Sequence, residues 1–515
     1  MPTTVRPRTK RSLPDAAPLH RRRLLAGLGM AVAGLSLAAC GQATAQTSSA
    51  TAAAPAGTST LSTAAASAAA AASTTMGLAA SSAASTAATA QGGGPAAAPA
   101  ANACAAPVEY LSPWAVGSDI GAGLVKLNGD FAQAVQGCSA QLLYVSSDNT
   151  TILEKLVVMV AAGTPPPVAL VPAQQTPLWI TKGILQPLTA RAARDKVTKE
   201  QFFPGYWPQM VLGGKFWRLP FQIDINFPWF WNKATLRQAG LDESKAPATI
   251  DELDQMAQKL TSIQGTSYNQ LGMVPWDLYG NTNSLQSWAF AYGGQFQNAD
   301  YTKVTANDPK IVQALAWMVG WARQLGGYDQ VQKFLAGIPK QPQAAIAAGK
   351  LAMTGLVSSA AAAIPTINKT AEVAGGLFPG TANAKPGEAT WLSGRGIGLV
   401  AGAKDVEGAW KFIKWVSATP DGTSALIQRT GSIPGFQASP GLAVLAKDPI
   451  LGPFVRSVQV AKGLPPGAVL AIDIWGNKRS DLITQALQQK IPASQALDQV
   501  TTGAQAELDQ ALAQR

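Results

Sequence analysis

Beyond residue 105 or so, apolar and polar positions alternate in short blocks whose period switches repeatedly between two and 3.6. Val108–Ser112 and Gln141–Ser146 read as strands, while Ile120–Val135 and Thr150–Ala162 carry helical spacing. The apolar run Val168–Val171 reads as a buried third strand. This β-α-β-α-β order predicts an α/β fold with a mainly parallel sheet and helices on its faces. Lys215–Leu219, Ile225–Trp231, Leu271–Pro275, Leu351–Val357 and Gly396–Ala401 read as further strands. Thr249-Ile250-Asp251-Glu252 is a capping box that opens a helix to about Thr261. Asp308–Leu325 and Val406–Val416 are also helical, and from about Asn477 two helices are expected, separated near Pro492. No fixed-period repeat is present.

Before residue 104 the pattern is different. Arg21-Arg22-Arg23 leads into the apolar run Leu24–Ala39, which would span about 24 Å as a helix, short of a bilayer core near 30 Å. A basic region, a short apolar region and small residues predict a secretory signal over residues 1–39. It resembles the twin-arginine class, with His20 where Ser or Thr is usual. Leu37-Ala38-Ala39-Cys40-Gly41 resembles a bacterial lipobox, which implies lipidation at Cys40 and a protein anchored on the outer face of the membrane after export. Residues 41–103 hold no charged and no aromatic side chain; with Cys40 they read as an Ala/Ser/Thr-rich tether without chemistry of its own.

Charge sharpens this division. Only 13% of the 515 residues are charged, yet the formal net charge is +11. Residues 1–23 contribute seven basic side chains against Asp15, whereas residues 104–515 carry 33 basic and 28 acidic ones. The basicity therefore belongs mostly to the signal and gives no reason to expect a nucleic-acid partner. The single histidine, His20, lies in the signal, so the body of the chain excludes Ser-His-Asp and Cys-His catalysis and His-based metal sites. No metal or cofactor is expected. All 14 Trp, 14 Phe and 8 Tyr lie at or after residue 108, in a body long enough for two domains. Cys104 and Cys138 each precede one of the first two strands; if those strands are parallel neighbours, the cysteines meet at one sheet edge as a disulfide.

Several segments, in order, resemble the extracellular solute-binding proteins of carbohydrate ABC importers, the group that includes maltose-binding proteins. Ala162-Gly163-Thr164-Pro165-Pro166-Pro167-Val168 is similar to that family's turn into its third strand, with Pro167 in place of the usual Asp. Ile184–Leu188, Trp231-Asn232-Lys233, Gln238–Leu241 with the Thr249 helix, Ala348–Met353, Gly396–Val400 and Glu407–Phe412 resemble later family segments. The resemblance covers nearly all of residues 105–515. It implies a two-lobe, periplasmic-binding-protein-like α/β fold with hinge strands and a central ligand cleft. One lobe would comprise residues 104–221 and 392–433, the other 222–391 and 434–515. Crossings are expected near Pro220–Asn226, Leu392–Arg395 and Gly431–Gly435.

The implied activity is capture of a mono- or oligosaccharide by a monomer and its delivery to an ABC permease. A glycerol-phosphate-type polyol, a surface sensor without a transporter and a two-carboxylate glycoside hydrolase are the competing readings. Contacts are expected just after strands and at crossings. Trp114 and Asp119 follow the first strand, Ser147 and Asp148 the second, and Gln174 the third. Phe221, Asp224 and Asn226 lie at the first crossing, with Trp391 and Arg395 at the second. Trp276 and Tyr279 follow the Leu271–Pro275 run, and Trp475 precedes the terminal helices. Flat aromatic faces suit pyranose rings, and Asp, Asn and Gln suit their hydroxyls.

Overall fold

Local sequence places the first elements. Strand β1 (Val108–Ser112) is followed by helix α1 (Asp119–Ala134), whose N-cap Ser118 accepts a hydrogen bond from the Gly121 amide. Strand β2 (Ala140–Tyr144) leads to helix α2 (Asn149–Ala161), capped by Asp148, and then to the fully buried strand β3 (Val168–Pro172). The structure is a computed structural model and describes residues 103–146, 148–265, 267–299, 301–338, 342–463, 474 and 479–513. The signal, Cys40 and the tether as far as residue 102 lie outside these residues, as do Ser147 and Trp475.

The short strand β4 (Leu185–Gln186) precedes β5 (Leu219–Asn226) and β6 (Trp229–Asn232). Helices α3 (Ile250–Leu260), α4 (Asn281–Ala291) and α5 (Pro309–Gln324) follow, then strands β7 (Met353–Gly355), β8 (Val373–Gly376) and β9 (Trp391–Val400). Helices α6 (Val406–Ala418), α7 (Pro420–Thr430), α8 (Arg479–Leu487) and α9 (Ala493–Ala513) complete the elements used below.

A six-stranded sheet runs β2-β1-β3-β9-β4, with β5 also paired to β9. β1 is parallel to β2 and β3, whereas β9 is antiparallel to β3, β4 and β5. β6 is the centre of a second, antiparallel sheet, β7-β6-β8. The parallel β1–β2 register brings Cys104 and Cys138 to one edge, and a disulfide joins them with Cα atoms 4.9 Å apart.

Each sheet has its own aromatic core. One face of the first sheet packs Tyr110, Phe131, Phe412 and Trp415 against one another, and its other face buries Ile152, Leu156 and Trp179. Around the second sheet, Trp229, Trp288 and Phe378 make mutual ring contacts. The same core takes in Ile483 of α8 and Leu497 and Val500 of α9. Leu442, Leu445, Phe454 and Val458 belong instead to a core shared by the first sheet and the Phe230 face of β6, with the Phe230 and Phe454 rings 5.7 Å apart.

Three strand expectations need correction. Lys215–Phe216 pairs only with Val211–Leu212 in a small hairpin, and the long strand is Leu219–Asn226. Pro228 has no N–H to donate and separates that strand from β6. The buried run Leu271–Pro275 makes a single bridge, Leu271 to Leu351, and is otherwise irregular. Its continuous apolar character reflects burial rather than strand geometry. Gly394, Gly396 and Gly398 all lie inside β9.

Candidate functional site

Along β5 the side chains alternate. Phe221, Ile223 and Ile225 are buried in the core of the first sheet, so Phe221, expected at the cleft, is a core residue. Gln222, Asp224 and Asn226 project to the opposite face. The register with β9 pairs Asn226 with Trp391, Asp224 with Ser393 and Gln222 with Arg395. Directly opposed residues share a face, so these six side chains form one continuous polar patch edged by an indole.

Hydrogen bonds knit the patch together. Asn226 Nδ2 donates to Ser393 Oγ at 3.0 Å, and Gln222 Nε2 donates to Asp224 Oδ1 at 3.1 Å. The third predicted crossing lies alongside, because the Ile223 amide donates to the Ile433 carbonyl at 2.8 Å. Burial raises the Asp224 carboxyl above its ordinary pKa, while Arg395 and Gln222 oppose the rise. Burial likewise lowers the Arg395 pKa, opposed by the charges of Asp224 and Tyr206. Gln222 Oε1 and Arg395 Nη1 are buried without a hydrogen-bond partner among the described residues. Such groups are costly unless something else satisfies them.

The loops after β1 and β2 reach the same end of the patch. The Arg395 guanidinium lies over the Trp114 ring, 5.5 Å from its centroid, and Nη2 donates to Asn149 Oδ1 at 2.8 Å. Trp114 itself is half-buried and its amide donates to Ser112 Oγ. Asp148 is an exposed helix cap, held below the usual carboxylate pKa chiefly by its bond from the Thr151 hydroxyl. Asp119, in the first turn of α1, and Gln174, in the turn after β3, are both exposed.

On the other side, aromatic rings continue from Trp391. Its Nε1 donates to Ser287 Oγ at 3.0 Å, and its ring meets Phe227 edge-on at 6.0 Å. Phe227 in turn stacks on Tyr279, with centroids 5.9 Å apart and planes within 12°. Tyr279 is 46% exposed and has a positive φ of 58°, so its ring is presented by an unusual backbone. Trp276 is buried, 5.6 Å from the Tyr328 ring, and its Nε1 has no partner among the described residues. Gln222, Asn149, Phe227, Ser287 and Ser393 were not expected from the sequence. Only Gln222 and Ser393 had a usable signal there, each lying two residues along a strand from a named candidate.

Between Trp276 and Tyr279 sits Asp277. Its Oδ2 is buried and unpartnered among the described residues, and burial pushes the carboxyl up to about 7. In acid the group is protonated both folded and unfolded. Above pH 7 it is charged in both, and the folded state carries the burial cost. The stability associated with this group is thus full at low pH and lost as pH rises through about 7. Asp277→Asn should therefore raise the Tm of the ligand-free protein more at pH 8 than at pH 5. Equal shifts at both pH values would contradict this environment for the carboxyl.

No group of three or more His, Cys, Asp or Glu placed to hold a metal ion occurs among the described residues. What the residues do form is a patch of hydroxyl-matching groups on crossing strands, walled by Trp114 at one end and Trp391, Phe227 and Tyr279 at the other. Two α/β bodies joined through such strands define a two-lobe binding protein. Residues 114–422 match the bacterial extracellular solute-binding protein family, and the chain belongs to that family.

A maltotriose-binding protein of Pyrococcus abyssi is 21% identical over 308 residues, 58% of this chain and 61% of that relative. The match thus spans under two thirds of the relative's length. Among solved structures, the sugar-binding protein MalE of Xanthomonas citri superposes with a TM-score of 0.64 at 16% identity, over 79% of this chain and 98% of that one. CpMnBP1 with mannotriose bound gives 0.61 at 24% identity, over 78% and 99%. The fold is therefore of the two-lobe, maltose-binding-protein-like type.

Proposed function

We propose that this protein is the substrate-binding lipoprotein of an ABC importer, which captures a carbohydrate between its lobes and hands it to a membrane permease. The observation that carries the reading is the β5–β9 face, where Gln222, Asp224, Asn226, Ser393 and Arg395 lie between aromatic walls. A pyranose offers a ring of hydroxyls at its edge and an apolar C–H face, which matches that combination. The relatives named for maltotriose and mannotriose support the same ligand class.

In this reading residues 104–221 with 392–433, and 222–391 with 434–515, are the lobes. Gly394 and Gly435 lie at the second and third crossings. Trp114, Asp119, Ser147, Asp148, Gln174, Asp224, Asn226, Trp276, Tyr279, Trp391, Arg395 and Trp475 are the candidate ligand contacts. Cys40 carries the lipid anchor after removal of residues 1–39, and the protein works as a monomer on the outer face of the membrane, without catalysis. Ligand shifts the lobes toward closure only by its differential affinity for the closed form.

A thermal-shift screen with mono-, di- and oligosaccharides and glycerol phosphates tests the reading. A saccharide present at a hundred times its Kd should stabilise the protein by about 2.7 kcal/mol. Arg395→Gln should weaken that ligand at least tenfold. A screen in which no saccharide raises the Tm, or only glycerol phosphates do, would sink it.

A further inference from the structure

The acids at the site are unequal. Asp224 has a donor in Gln222 and a compensating charge in Arg395. Asp119 and Asp148 are exposed, so water screens them. Asp277 is half-buried and lacks such partners. Its Oδ2 is buried with no donor among the described residues, and no cationic side chain forms an ion pair with it there. The flanking Trp276 and Leu278 are buried, and the Tyr279 phenol, which feels the Asp277 charge, has no positive charge to offer. With Asp224 and Arg395 offsetting each other, the described residues of the site retain uncompensated negative charge, although residues 104–515 as a whole are net positive.

We propose that the ligand carries a protonated amine that pairs with Asp277, as in an amino sugar or aminocyclitol unit, its hydroxyls being held by the β5–β9 face. This rests on the carbohydrate-binding reading above and narrows its substrate class. A neutral hydroxyl would give the buried carboxylate one ordinary hydrogen bond. An ammonium gives a charge-assisted bond and cancels the charge, which is what a desolvated carboxylate lacks. The adjoining Tyr279 and Phe227 faces add attraction for a cation and none for an anion. The raised Asp277 pKa fits a carboxylate whose counter-charge comes with the ligand. A phosphate ester in the same place would face repulsion.

Calorimetric titration of the full protein at pH 7 with matched sets tests this: glucosamine, galactosamine, mannosamine and chitosan dimer, their N-acetyl forms, and the corresponding neutral sugars. At least one free amine should bind ten times more tightly than both of its counterparts, and Asp277→Asn should abolish that preference. If neutral or N-acetylated sugars bind as tightly as the amines, or the preference survives in Asp277→Asn, the inference is overturned while the carbohydrate reading stands. If no sugar of any set binds, the inference falls, and the carbohydrate reading falls with it only if no saccharide of the thermal-shift screen raises the Tm either.

Discussion

Replacing Gly394 by alanine should destabilise the protein by roughly 4 kcal/mol, more than any other single methyl added at the crossings. Gly394 has a φ of 103°, and a Cβ built there would lie 2.3 Å from the Gln222 carbonyl oxygen and 2.9 Å from the Asp224 amide nitrogen. Those atoms are backbone of the paired strand and cannot swing aside as a side-chain tip would. The methyl would have to part β5 from β9 at the point where Asp224 and Arg395 are positioned, so ligand affinity should fall together with stability. Gly431 supplies the comparison. It also has a positive φ, 69°, as the C-cap of α7, but nothing lies within 4 Å of an added Cβ. Gly431→Ala should cost only about 1 kcal/mol, the price of the left-handed conformation. Denaturant unfolding of the two variants checks this, and equal losses would show that conformation rather than close packing governs the crossing.

The second large effect is expected at the disulfide. Cys104 and Cys138 are 34 residues apart and close a loop containing β1 and α1. Beside the link the Cys104 amide donates to the Gly137 carbonyl and the Val108 amide to the Ser139 carbonyl. Removing the link by a Cys104→Ser/Cys138→Ser double change frees the unfolded chain, a loss of about 4 kcal/mol in the chain-entropy account. The urea midpoint should drop accordingly, and treating the unmodified protein with reductant should reproduce the drop. A midpoint unaffected by either treatment would mean that β1 and β2 hold their register without the link.

Periodicity made the first half of the large sheet legible. The helices α1 and α2 are one-sided and the strands between them are short, so their patterns are unambiguous. Helix α4 escaped notice because every residue from Ser284 to Ala291 is buried, which erases the polar stripe that would mark a helix. For the same reason, the buried run at Leu271–Pro275 imitated a strand. At the site, Asp224, Asn226, Trp391 and Arg395 were visible as polar or aromatic residues at expected crossings. Their partnership was not visible, because it depends on a β5–β9 register between segments about 170 residues apart. That register also decides that Gln222 and Ser393 join the patch while Phe221 turns into the core. Asn149 was missed because a residue at the start of a helix looks structural until Arg395 is seen to reach it.

In the proposed function a saccharide is held against the β5–β9 face between the Trp114 and Tyr279 sides. Amide hydrogen exchange with and without a saccharide that raises the Tm tests it most directly. Ligand should slow exchange in residues 220–226 and 391–396 and in the turn from Trp276 to the start of α4. Protection confined to other surfaces, with exchange at those three segments unchanged by a bound saccharide, would contradict it.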